Sequence, residues 1–162
     1  RGQQILPLLA AAVLVAACGT GPSPEAGPAM SESDVEQSAL DFVNSLTAAY
    51  AANDVEDYFG HYATDMTVWR PSGRWSWDGY YDSWTETVAT RGGVAAAEVS
   101  DAQVRVSSEG DAAQVSYILT ADYHGEGGSV SRSMFAMSTT LMKRDGQWKI
   151  VHLHFAGLPE GD

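Results

Sequence analysis

The chain has 162 residues, 44% hydrophobic and 19% charged, a composition that suits one globular domain with appendages. With 9 Lys and Arg against 21 Asp and Glu, the formal net charge is -12. A surface that acidic repels nucleic-acid phosphates and anionic headgroups, and no basic cluster interrupts it, so nucleic-acid binding is set aside.

After Arg1, residues 5–17 form an apolar run broken by Pro7, too short to span a bilayer and of the length of a signal-peptide core. The run ends Val15-Ala16-Ala17-Cys18-Gly19, which resembles the bacterial lipobox, whose Cys is lipidated and becomes the first mature residue. Residues 1–17 therefore read as a lipoprotein signal peptide and Cys18 as the lipidation site. No Met opens the chain, so a few residues of that leader are expected before Arg1. Cys18 is also the sole cysteine, which rules out a disulfide within one chain. The expected location is the cell envelope, outside the cytoplasm, on a membrane through a multi-chain lipid anchor. Residues 18–30, dense in Pro and Gly with no apolar period, read as a flexible linker.

The folded domain is expected over residues 31–158, with 159–162 as a tail. Ser33 and Glu36 match a capping box, and Val35, Ala39, Phe42, Val43, Leu46, Ala49 and Tyr50 follow at helical spacing. Asn53 and Asp54 stop that helix, and Asp54 caps a short second one with Val55, Tyr58, Phe59 and Tyr62 inward. Residues 66–70 alternate as a strand closed by Pro71, Ser72 and Gly73. A helix from about Tyr80 places Tyr80, Trp84, Thr87 and Val88 on one side.

Beyond Gly92 and Gly93 the pattern changes to strands over 97–107, 113–123, 131–143 and a return arm after Asp145-Gly146, a hairpin turn signal. Strict alternation puts Trp148, Ile150, His152 and His154 on one face of that arm. The opposite face holds Lys149 and the apolar Val151, Leu153 and Phe155, which are expected to form a homodimer interface. Helices first and an antiparallel meander after them make an α+β arrangement.

The order of motifs resembles the nuclear transport factor 2-like superfamily, which includes SnoaL-like proteins, ketosteroid isomerases and the calcium/calmodulin-dependent kinase II association domain. The residues that carry the resemblance are Tyr62-Ala63-Thr64-Asp65-Met66-Thr67-Val68 with Pro71 and Gly73, Ser116-Tyr117-Ile118-Leu119, and the run from Arg144 through Trp148 to His154. The resemblance implies a cystatin-like α+β roll: a cone-shaped, curved antiparallel sheet wrapped around N-terminal helices, often dimeric through the sheet. It does not settle an activity, since this scaffold hosts enzymes and plain assembly domains alike. Ketosteroid isomerases place their base Asp before the Pro that here is Pro71, and this chain has Arg70 there, which cannot abstract a proton. Their other two catalytic positions map near Leu46 and Thr139, so that chemistry is not expected. The arginines lining the cavity of the kinase association domain map to Leu119, about Arg132, and Thr139.

His152 and His154, about 7 Å apart along a strand, are the candidate acid/base pair, with Tyr117 or Thr139 as hydrogen-bond partners. A metal would need a third ligand from His61, His124, Asp65 or Asp122, which the spacing does not supply; no metal is expected. The Gly-rich loop over 125–128 lacks the Lys and helix of a phosphate cradle, and no cofactor is expected. Trp69, Tyr117, Leu119, Arg132 and Thr139 are the candidate pocket for a small, mostly apolar ligand. The alternative is an assembly or protein-interaction module without turnover, its cone plugged by Trp69, Trp84 and Leu119.

Overall fold

A computed structural model describes residues 30–159 of the chain. The expected signal peptide, Cys18, the linker up to residue 29 and residues 160–162 of the tail lie outside the described residues. Helix α1 spans Glu32–Ala51, and its capping box is Ser31 with Asp34, two residues before the one expected. The Ser31 hydroxyl accepts from the Asp34 N–H at 3.2 Å and the Asp34 carboxylate accepts from the Ser31 N–H at 3.2 Å. A shorter acid thus does the work assigned to Glu36. Val35, Ala39, Val43, Leu46, Ala49 and Tyr50 make its buried stripe, as the spacing predicts. Helix α2, Val55–Gly60, is capped by Asp54.

Strand β1 runs Tyr62–Arg70 and β2 Gly73–Trp75, followed by α3 over Trp77–Arg91. The third helix starts at Ser76, whose hydroxyl accepts from the Gly79 N–H, and stops at Gly92 with φ 79°, a left-handed cap open to glycine. Then come β3 (Val94–Val106), β4 (Ala112–His124), β5 (Val130–Arg144) and β6 (Gln147–Gly157). The sheet has six strands in the order β2-β1-β6-β5-β4-β3. The expected meander is β3 to β6, and β1 extends it by pairing parallel with β6. The three helices lie on its concave side: α1 packs on β3 and β4, and α3 on β1.

The β5–β6 hairpin turns on Asp145 and Gly146, both left-handed at φ 52° and 80°, the pair a two-residue primed turn demands. Further along, strict alternation fails. Ile150 pairs with Leu141 and His152 with Thr140, so Val151 is left without a partner as a β-bulge. Cross-strand partners share a face, and Leu141 and Thr139 are both 0% exposed. Ile150 and Leu153 therefore both face the interior, although they are three residues apart. His152 and His154 pair with Thr140 and Ser138 and are thrown to the outer face.

Two expectations are corrected by that single residue. The imidazoles do not share a face with Trp148 and Ile150, and two of the residues expected at a dimer interface face inward: Leu153 is 1% exposed and Phe155 packs on Phe135 inside the sheet.

One contact ties α1 to the sheet. The Asn53 side chain accepts from the Val94 N–H at 2.8 Å and donates to the Val94 carbonyl at 2.8 Å, with Asn53 itself at φ 56°. Gly93 leaves room for this clamp, since a Cβ there would stand 1.9 Å from Asn53 Oδ1. Asn53→Ala strands two part-buried backbone groups and is expected to cost about 2 kcal/mol or more, read from urea unfolding. Gly93→Ala should cost at least as much; unchanged midpoints for both would refute the clamp.

Candidate functional site

Between the concave sheet and α3 lies a hollow of about 900 Å³. Its apolar wall comes from Trp84 on α3 and from the inward residues Leu119, Phe135, Met137 and Phe155 of three neighbouring strands. These line up because cross-strand registry sets Leu119 opposite Phe135 and Met137 opposite Phe155. The rim carries Arg91, His124 and Glu126.

Four phenols, Tyr50, Tyr58, Tyr80 and Tyr123, contribute to the polar part of the wall, with Tyr62 bonded behind them. Tyr62 donates to the Tyr58 hydroxyl at 2.7 Å, and the Tyr58 and Tyr80 hydroxyls lie 2.7 Å apart. A second pair, Tyr50 and Tyr123, is bonded at 2.7 Å. Since each hydroxyl has one proton, a head-to-tail order of Tyr62, Tyr58 and Tyr80 leaves the Tyr80 proton for whatever occupies the hollow. Burial is the leading cause that raises the pKa of all five of these phenols. For Tyr80, the hydrogen bond with Tyr58, the neighbouring Tyr62 hydroxyl and the Arg70 charge pull the other way. These groups are neutral donors and not bases at ordinary pH.

On β1 the inward residues are Tyr62, Met66, Val68 and Arg70, with the first three in the core and Arg70 in the wall of the hollow. The Arg70 guanidinium lies over the Trp75 ring, 3.8 Å from its centroid, and 5.9 Å from that of Phe155. Trp84 stacks on Tyr50 at 4.6 Å, and its buried indole N–H has no partner among the described residues.

Of the candidate pocket and acid/base residues read from the sequence, Leu119 alone lines this hollow, together with Trp84, which was expected to plug the cone. Trp69 pairs with His154 and stands 47% exposed on the outer face. Arg132 is also outside, held bidentately by Asp122 at 2.8 and 2.9 Å across β4–β5. That contact raises the Arg132 pKa and lowers that of Asp122. Tyr117 and Thr139 face inward but lie in the packed core beneath the cavity wall, 4% and 0% exposed. The Tyr117 pKa is pushed up to about 12, by burial first, and among the described residues the Thr139 hydroxyl beside it has no partner in hydrogen-bonding geometry.

His152 Nδ1 is bonded to the Thr67 hydroxyl at 2.7 Å and His154 is exposed; neither lines the hollow. Among the described residues no group of three or more His, Cys, Asp or Glu is placed to hold a metal, and no helix is long and apolar enough to cross a membrane. Arg70, Tyr50, Tyr80 and Tyr123 line the hollow but are absent from the candidate pocket drawn from the sequence. The alternation Met66, Val68, Arg70 was the available signal for the first.

A family model described as a SnoaL-like domain matches residues 39–159. No curated protein sequence matches the chain significantly. Among solved structures, it is similar to an NTF2-like protein from Cytophaga hutchinsonii, with 21% identity and a TM-score of 0.65 over 80% of this chain and 100% of that one. A provisionally assigned scytalone dehydratase from Novosphingobium aromaticivorans matches at 17% identity and a TM-score of 0.65, over 78% of this chain and 89% of that one. The association domain of C. elegans CaMKII matches at 21% identity and a TM-score of 0.62, over 76% and 96%. Likeness at this level is likeness of fold.

The raised phenol values set a pH limit on stability. A phenol whose folded pKa exceeds its unfolded value of about 10 stabilises the fold fully below that pH, and the contribution is lost as pH rises above it. Absorbance at 295 nm and far-UV circular dichroism should therefore show Tyr50, Tyr58, Tyr62, Tyr80 and Tyr123 ionising together with unfolding above pH 10. Ionisation of all seven tyrosines near pH 10, with the dichroism unchanged, would contradict the buried network.

Proposed function

The chain belongs to the SnoaL-like family, and on that premise we propose that its domain binds a small, mostly apolar molecule in the hollow of its cone. The observation that carries the reading is the open hollow of about 900 Å³, a size typical of small-molecule sites, with an aromatic wall and a few convergent donors. Trp84 and Leu119 stand in its wall without filling it, and Trp69 is on the opposite face of the sheet, so the plugged cone of a pure interaction module is not favoured. Within this reading a bound carbonyl takes its hydrogen bond from Tyr80, and His152 and His154 take no part.

The domain is carried on an envelope membrane by lipidated Cys18, with the following linker as its tether. A second role as an assembly domain draws support from the outer face, where Trp69, Val130 and Met134 are 47%, 55% and 40% exposed. A homodimer would meet there, leaving the hollow of each copy free.

The test uses N-phenyl-1-naphthylamine, a neutral probe that fluoresces when taken out of water. The protein is expected to bind it, and Leu119→Trp, which fills the hollow from β4, should weaken binding by about tenfold, the loss of roughly one buried ring contact. His154→Ala should leave it unchanged. Binding that is indifferent to Leu119→Trp and lost in His154→Ala would reverse the assignment.

A further inference from the structure

We infer that the molecule taken up by this hollow is a monoanion, a carboxylate or enolate on a flat apolar body, and that Arg70 receives its charge. The inference deepens the binding reading above and rests on it. Arg70 is the last inward residue of β1 and the innermost cation of the hollow, half-buried in its wall. The rings of Trp75 and Phe155 flank the guanidinium at 3.8 and 5.9 Å. A guanidinium covered on its faces by rings keeps its five N–H donors at its edge, the geometry that a carboxylate meets with two oxygens.

Those donors are not spent elsewhere. Among the described residues Arg70 makes no hydrogen bond or ion pair, whereas Arg132 is locked to Asp122 and Arg144 lies 3.8 Å from Asp65. In a chain with 21 acidic residues, a cation left without a carboxylate inside an aromatic cavity has a place for one from outside.

The surroundings set the rest of the specificity. The net charge of -12 repels anions in general, so an anion held here is held by a local cation. The other cation of the wall, Arg91, is exposed in the last turn of α3, where the helix's own partial negative charge offsets it, and Glu126 shares that rim. One guanidinium against that background compensates one charge; a second would be left unpaired. Leu119, Phe135 and Met137 then receive the apolar body.

A matched pair of probes separates this inference from the reading beneath it. 8-Anilinonaphthalene-1-sulfonate is N-phenyl-1-naphthylamine with one added anionic group. The wild-type protein is expected to bind the anionic probe about tenfold more tightly than the neutral one, as one charge-assisted contact allows. Arg70→Gln should erase that preference and leave the neutral probe's affinity within about twofold, which also reports an intact hollow. Arg91→Gln should keep the preference, and Leu119→Trp should weaken both probes.

Equal wild-type affinities would overturn the inference without any variant and leave the cavity reading standing. A preference that survives Arg70→Gln or disappears in Arg91→Gln would overturn it equally, as would binding of the anionic probe that Leu119→Trp leaves unchanged. Failure of both probes to bind the wild-type protein would remove the cavity reading, and the charge assignment with it.

Discussion

The arrangement of this domain depends on one unpaired residue, Val151. With it, Ile150 and Leu153 both reach the interior, and Phe155 follows into the wall of the hollow. Without it, an alternating β6 would drive His152 and His154 inward and Leu153 and Phe155 into water. Exposing two such apolar side chains forfeits about 3–6 kcal/mol, and burying imidazoles without partners costs about 1–3 kcal/mol more for each polar group. Losing one pair of ladder hydrogen bonds at the bulge costs less than that. The bulge also bends the strand at the place where the sheet must curl over α1 and α3.

A curled sheet leaves more volume than its side chains occupy, and the way this domain lines that volume explains its chemical character. At the packed end, Leu141, Ile150 and Leu153 are fully buried. Toward the mouth, rings replace aliphatic side chains, and rigid rings keep a cavity open where flexible chains would close it. The phenols satisfy one another in pairs and chains, so their polarity is tolerated, and burial keeps them neutral. Arg70 is the exception to that mutual satisfaction, stabilised by ring faces but not by a counter-charge. The family relationship supplies the scaffold; the identity of what is bound lies in these side chains.

Much of this could be read from the chain alone. The stripe of α1, the Asp54 cap, the Asp145-Gly146 turn and the strand sequence after Gly93 are local signals, each with its own mechanism, and each is where the spacing put it. The face of β6 was not legible, because a bulge is defined by the register of the partner strand and not by the residues that carry it. Trp69 and Arg70 show the bias of residue type: a tryptophan suggests a pocket and an arginine suggests a surface. The parity of Met66 and Val68 says the reverse. Arg132 looked like a ligand-binding cation until its cross-strand partner Asp122 was in view. Tyr50, Tyr58, Tyr80 and Tyr123 come from four helical or strand segments up to 73 residues apart, a convergence that no local window contains.

The two faces of the sheet can be told apart by where a bound molecule sits. Intermolecular nuclear Overhauser effects from the aromatic protons of N-phenyl-1-naphthylamine test this directly, because methyl-bearing side chains mark both sides. The account predicts effects to the methyl groups of Leu119 and Met137, inside the hollow, and none to Met134 or Val130 on the outer face. Effects to Met134 and Val130, with silence from Leu119 and Met137, would contradict it.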